Sequence, residues 1–544
     1  MSSAPGTGVA YFRATSMTLD AWLGRAAWAV VALSCLQILL FGFGRDQGIY
    51  AVVGDALLDG KMPYRDVWDF KPPGIFLMFA FAEALFGKAM SSIRLLEVGG
   101  LVAVVFAFRR LGRTLFDSEV AGLLGGALAV LIHAELEFWH TAQPESFGGM
   151  LTVFALVQVT GPAISAASAR TRLWNAALAG ALFGAAFLLK PPLGGGVLVC
   201  AAYLARAEWL QSPRIDLAVR PVIAAALGSL APILLVLFWF WTRGALPALR
   251  WTLFDFTPGY TALGWHGTPQ GLLWYGFTEL LFGFSYVLPL GVALAILLPR
   301  ISHREREGMM LVAGITCVHL TGIAMQAKFF QYHYAATLMV SSLVGGLGIY
   351  KGCRWLKGRS VVLTAAYLGV VVVLAAERVA LRHNPGTFWE RSADRLAYLA
   401  VRVPSREQLD AKLYRVADYD LGLDRRAARD VARLSGAGDS VFVWGFEPAL
   451  YWLSGRRPSS RFIYDVPQRV RWQRDIARRD LLSDLRRDPP RVIVVQHGDV
   501  FQYVTGDLLD SADSLSDFPE LAAILADDFR FVESVEDLDL YVRR

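Results

Sequence analysis

A series of near-continuous apolar runs, most about 17 to 25 residues long, constrains this chain more than any other feature. That length, wound as helix, crosses a hydrocarbon core of about 30 Å. The runs lie near 21–43, 92–109, 117–134, 147–165, 173–189, 193–207, 221–242, 271–299, 309–326, 334–350 and 360–377. Unbroken apolarity, rather than alternation at period two, excludes a β-barrel. Charged residues make up 18% of the 544 positions, against about 25% in a soluble domain. An ordinary soluble enzyme is therefore excluded as well. The run at 21–43 is too long for a signal-peptide core and is read as a retained first helix.

Charge is unevenly divided. Residues 1–382 hold 29 Lys and Arg against 20 Asp and Glu, a net of +9, while 383–544 hold 24 against 27, a net of −3. The basic pI near 9.1 thus reflects loops on a membrane region and gives no reason to expect nucleic acid as a partner. Cys35, Cys200, Cys317 and Cys353 have neither disulfide nor zinc-ligand spacing.

Short-loop Lys and Arg stay cytoplasmic. The clusters Arg109–Arg113, Arg170–Arg172, Arg206–Arg220, Arg300–Arg306 and Lys351–Arg359 all fall inside if there are eleven spans and an inner N-terminus. Residues from about 383 onward then lie outside. This requires that 71–87 not cross, and its 17 residues with Glu83 read as a helix in the outer interface. Before it, Ile49, Val52, Val53, Ala56 and Leu57 form one helical stripe, which predicts an amphipathic helix over 46–59 lying flat on the membrane. In the tail, Val441–Trp444 and Val492–Gln496 read as buried strands, Pro448–Ser454 as a short helix and 529–543 as a terminal hairpin. No glycine-rich phosphate loop follows either strand, so no nucleotide site is expected there.

With that orientation the boundary charges Asp46, Lys71, Glu145, Lys190, Lys328 and His333 gather on the outer side, where ionisable residues mark function. Five of them also have a plainer reading: Asp46 as a helix cap, Glu145 as the start of a span, and the three lysines as snorkelling anchors. The stretch HAELEFWH at 133–140 fits no zinc pattern and reads as a solvated loop. The aromatic run 237–241 reads as lipid-facing or interfacial belt residues. The loop 243–270, with Trp251, Asp255, Tyr260, Trp265 and His266, reads equally as a cover over a substrate and as a plain connection. Lys71 is followed by two prolines, which places it beside a helix N-terminus, where an anion is favoured. A carboxylate base with a cationic clamp suffices for inverting transfer from a phosphate leaving group.

At these residues the sequence resembles the GT-C superfamily, and more narrowly bacterial relatives of the protein O-mannosyltransferase and aminoarabinose transferase family. The likeness rests on a carboxylate after the first helix, then PYRDVWDFKPPG, TAQPE and KFFQYHY, with VWGFEPALYWLSGRRPSSRFIY in the tail. It implies a GT-C-like membrane region over 1–382, with about 11 transmembrane helices and interfacial helices in the first outer loop. A periplasmic α/β domain would occupy 383–544 of a bacterial inner-membrane protein. It implies transfer of a sugar, with inversion, from a polyprenyl-phosphate donor to a glycan, lipid or protein acceptor in the envelope. Carried over, Asp46 is the catalytic base with Glu145 supporting it. Lys71 and Lys328 contact donor phosphate, and Lys190, His333, Tyr64 and Arg65 join the substrate-binding set. Where many members carry a second acidic residue, this chain has Gln47. No metal is indicated, although a divalent-metal requirement stays open. A flippase for a lipid-linked sugar needs the lysines without the base, and an oligosaccharide ligase or polymerase remains a closer alternative.

Overall fold

The structure, a computed structural model, describes residues 18–161, 168–299, 301–377, 387–402 and 405–544. The expected division at 382/383 lies outside the described residues. Among the described residues six helices are long and apolar enough to cross a membrane: Leu19–Ile38, Met90–Phe116, Ala169–Leu189, Pro191–Gln211, Ile215–Thr242 and His303–Gln326. Others coincide with expected runs yet fall short of the roughly 20 residues that a 30 Å core demands. Glu119–Glu135 has 17 residues and Pro144–Val159 has 16. The run at 271–299, expected as one span, is instead a pair, Pro269–Phe282 and Val287–Leu297, bent by 97°. The intervening Gly283 and Ser285, with Pro289 just beyond, interrupt a run whose apolarity alone gives no sign of the break.

Small residues let the bundle close. A Cβ on Gly125 would lie 2.8 Å from the Ser342 carbonyl oxygen of helix Ala335–Lys357, so the two backbones touch directly. The basic clusters collect at one end of the bundle through ion pairs between distant segments. Arg304 meets Asp117 at 3.0 Å, Arg206 meets Glu307 at 2.7 Å and Lys351 meets Glu305 at 3.4 Å.

The segment between helices Leu19–Ile38 and Met90–Phe116 holds the two short helices expected there, Arg45–Leu58 and Gly74–Phe86. At 14 and 13 residues and 1.5 Å per residue, each is about 20 Å long. Arg45–Leu58 does not lie bare on a membrane surface as its stripe suggested. Gln47, Tyr50 and Ala51 are buried along with Ile49, Val52 and Val53: Gln47 and Tyr50 meet residues 139–143, Tyr50 also packs on Phe76 and Phe79, and helix Ala449–Ser454 of the C-terminal region covers a further face. Gly48 makes that contact: a Cβ there would stand 3.2 Å from the Ala449 backbone.

The C-terminal region carries a five-stranded sheet in the order Arg457–Pro458, Ser440–Trp444, Val492–Gln496, Leu538–Arg543, Phe529–Val535. The first three strands run parallel and the terminal hairpin pairs antiparallel. Both central strands are buried along their whole length, as their unbroken Val/Ile/Phe runs require. The sheet is preceded by helices Phe388–Val401, Arg406–Leu413 and Leu421–Leu434.

This region is not a detached tail. Arg391 and Arg395 both pair with Glu137, between helices Glu119–Glu135 and Pro144–Val159 in the chain, and all three side chains are buried. The Tyr419 hydroxyl donates to the Phe43 carbonyl at 2.9 Å. Residues 133–140, read as a solvated loop, are mostly buried, with His133, Glu135, Glu137 and His140 all covered. Glu137 is engaged by Arg391 and Arg395 and His133 by Glu97, partners that the local pattern could not reveal.

Candidate active site

Asp46 stands in the first turn of helix Arg45–Leu58, whose N-cap is Gly44. The plainer reading of Asp46 as a cap therefore does not apply. Gln47 fills the capping role: its side-chain oxygen accepts from Gly44 N at 2.9 Å, while its amide donates to the carbonyls of Thr141 at 2.6 Å and Trp139 at 3.3 Å. A carboxylate at this fully buried position could not donate either bond. This is a physical reason for the departure from paired acids.

Asp46 Oδ2 accepts the Gln143 amide at 3.1 Å and lies 3.7 Å from Lys71 Nζ. Oδ1 has no hydrogen-bond partner among the described residues. Gln143 is itself held by the Tyr50 hydroxyl, which donates to its side-chain oxygen at 2.9 Å. Lys71 sits among the rings of Tyr50, Phe70 and Tyr332, at 5.8, 5.2 and 5.9 Å. Burial works against its charge, but Asp46, Tyr50 and Asp69 outweigh that and hold its pKa well above the usual lysine value. Asp69 is buried between the Tyr464 hydroxyl at 2.6 Å and the Lys71 backbone N–H at 3.1 Å. Burial raises the pKa of this carboxyl despite the nearby Lys71.

The second Lys-Pro-Pro segment, at 190–192, comes to the same place. A Cβ on Gly74 would lie 2.6 Å from the Leu188 carbonyl oxygen, so the two proline turns abut. Lys190 pairs with Glu145, and its ammonium is 5.5 Å from the Tyr332 ring centre. Burial lowers the pKa of Lys190 even with Glu145 beside it. His333 reaches within 4.0 Å of Glu145. Burial, with Lys190 and Lys71 nearby, holds its pKa well below the usual histidine value. The imidazole is therefore neutral at pH 7. Lys328 donates to the Tyr503 carbonyl at 2.7 Å and lies 3.7 Å over the Tyr260 ring.

These groups border a cavity of about 580 Å³. Lys71, Glu145, Lys190, Lys328 and His333 line it together with apolar Phe187, Ile233, Val236, Leu249, Leu253 and Phe254. One wall comes from the segment 246–262, whose role the sequence left open. The C-terminal region fixes that wall, with Trp472 donating to the Phe256 carbonyl and Trp251 to Gln473, both at 3.1 Å. A long apolar chain ending in an anion has the matching shape and charge.

Five sequence-derived candidates thus line one cavity, with Asp46 paired to Lys71 beside it. Tyr64 and Arg65 do not line it. Tyr64 is buried with φ of 69°, and its hydroxyl donates to the Lys71 carbonyl at 2.7 Å, so it braces the lysine from behind. Its ring stacks on Phe240, which is buried rather than part of an exposed belt. Arg65 turns away to Asp66 and the Arg243 carbonyl. Sequence reasoning missed Gln143, Asp69, Tyr332 and Tyr464. It also missed Arg94 and Glu97, charged residues inside a spanning run. Arg94 donates to Thr141 Oγ1 and the Gly42 carbonyl, both at 2.8 Å. Glu97 accepts from the Ala142 N–H and pairs with His133 at 2.8 Å. Together they hold the two loops that carry Asp46 and Gln143. Among the described residues no three His, Cys, Asp or Glu side chains converge as a metal site.

No family model and no curated protein matches the sequence. Solved structures do. The chain is similar to ArnT from Cupriavidus metallidurans bound to undecaprenyl phosphate, at 13% identity and a TM-score of 0.56, over 96% of this chain and 98% of that one. The apo form of the same protein gives 13% identity and 0.57 over 95% and 98%. The fold is GT-C-like. The expectation of that fold, drawn from the first-loop motifs, is met over nearly the whole chain. The oligosaccharyltransferase AglB from Archaeoglobus fulgidus, in complex with an inhibitory peptide and a dolichol-phosphate, gives 13% identity and 0.43 over 96% and 75%.

Proposed function

We propose that this chain is a glycosyltransferase that moves a sugar from a polyprenyl-phosphate donor to an envelope acceptor, with inversion at the sugar. In this reading a multi-pass membrane region over 1–382 lies in the bacterial inner membrane. Residues 383–544 form the periplasmic domain. The observation that carries the reading is the Asp46–Lys71 pair beside an apolar cavity. The likeness in fold to a protein solved with undecaprenyl phosphate supports the choice of donor class.

The acceptor hydroxyl approaches Asp46 Oδ1, the oxygen left open when Gln143 and Lys71 address Oδ2. As the acceptor oxygen attacks the anomeric carbon, its proton passes to Oδ1 and the carbon–phosphate oxygen bond breaks. The departing phosphate carries the new negative charge, which Lys71 stabilises at close range in a water-poor site. Lys190, oriented by Glu145, supplies a further donor, and Lys328 supplies another once released from Tyr503. The apolar lining takes the polyprenyl chain.

The test is mass analysis of lipid-linked sugars and envelope glycans from a strain lacking the gene. Accumulation of a monophosphate-linked sugar together with a truncated glycan is expected. An intact glycan with only a change in which leaflet holds the donor would replace transfer by transport.

A further inference from the structure

Apart from the Lys71 cavity, a hollow of about 300 Å³ opens where the end of helix Leu19–Ile38 meets the C-terminal region. Leu39, Phe41 and Trp452 make it partly apolar, and Arg406 and Arg425 line it with no carboxylate among the lining residues. The two arginines share one buried partner, Asp410, at 2.8 and 3.0 Å. A single carboxylate leaves this pair of cations with an excess of positive charge. Arg425 directs Nη2 at the Met90 thioether at 3.4 Å, a weak acceptor for a guanidinium donor. Helix Met90–Phe116 starts at the same spot without a side-chain cap. Ala89, Met90 and Ser91 line the hollow, so the positive end of a 27-residue helix adds to the two guanidinium groups. The adjoining membrane helices present exposed Leu33, Leu36 and Leu95.

We propose that this hollow binds the phosphate of a bilayer glycerophospholipid, with its acyl chains along those leucines. Arg406 and Arg425 take the phosphate oxygens as charge-assisted donors, in the manner of basic pockets between membrane helices. Both belong to helices of the C-terminal region, Arg406–Leu413 and Leu421–Leu434. The bound lipid therefore ties that region to the membrane surface. The inference is independent of the reaction proposed above.

The experiment titrates phosphatidylglycerol into the full-length protein in detergent and reads bound lipid by native mass spectrometry. The double variant Arg406→Ala/Arg425→Ala is expected to bind at least roughly tenfold more weakly. Ser91→Asp is the second variant. It suits a helix N-terminus and so preserves folding, yet it places a negative charge in the hollow and should weaken binding similarly. Diacylglycerol, which lacks the phosphate, should bind all forms alike. Unchanged phosphatidylglycerol binding in both variants overturns the proposal. So does an equal loss of diacylglycerol. Stabilisation of the wild type by inorganic phosphate, without phosphatidylglycerol binding, would reassign the hollow to a soluble anion and overturn the lipid.

Discussion

Gln143 donates its side-chain amide to Asp46 Oδ2 at 3.1 Å, across 97 residues of sequence. Lys71 addresses the same oxygen, which leaves Oδ1 open, and in the proposed mechanism that oxygen faces the incoming hydroxyl. Replacing Gln143 with Leu removes a hydrogen bond to a charged group, worth about 1.5–3 kcal/mol. Transfer rate should fall by roughly 10- to 100-fold, with little change in donor KM. An equal rise in KM and no loss of kcat would remove Gln143 from this role.

Lys328 has its pKa pushed down to about 8 by burial and by nearby Lys71. A phosphate bound beside it favours the charged form, so binding takes up a proton above that pH. Affinity for undecaprenyl phosphate should weaken as pH rises through about 8 and stay flatter in Lys328→Arg, whose charge persists. Stability of the ligand-free protein should move the other way. Between about pH 8 and the ordinary lysine value near 10.5 the unfolded chain holds more protons at this site, so this lysine's contribution to stability rises with pH. Calorimetric binding and thermal melts over that window check both slopes.

Glu137, with φ of 62°, is the buried carboxylate that Arg391 and Arg395 share. Glu137→Leu takes that counter-charge away from two buried guanidinium groups, which costs about 3–5 kcal/mol. A marked drop in melting temperature is expected. An unchanged melting temperature would mean that the C-terminal region docks without this pair.

Gln47→Glu keeps the size of the side chain and loses both donated bonds to the Trp139 and Thr141 carbonyls. A buried carboxylate then faces two carbonyl oxygens. Stability should fall by several kcal/mol, and restoring a second acid at 47 should not raise activity. Gain of metal-stimulated activity in this variant would contradict the structural role of Gln47.

The long apolar helices, the two short helices between the first of them and the α/β strand pattern were legible because each depends on local composition or periodicity, whereas the bend inside 271–299 was not. Asp46 and Lys71 were legible because they sit where apolar runs stop. Their partners were not, because Tyr464 reaches Asp69 across 395 positions and nothing in local spacing encodes such a contact. Asp69 and Gln143 did lie within the quoted motifs, two residues from Lys71 and from Glu145. Arg94 and Glu97 carried a signal of their own as charges inside a spanning run. The stripe on 46–59 misled because amphipathicity reports one apolar face, while the opposite face met Ala449.

The central claim is that Asp46 takes the proton from the acceptor. The direct measurement is transfer by Asp46→Asn in membranes supplied with donor, alongside binding of undecaprenyl phosphate to the same variant. Transfer should be abolished while the protein stays folded and still binds the lipid phosphate through its lysines. Normal turnover by Asp46→Asn would contradict the account.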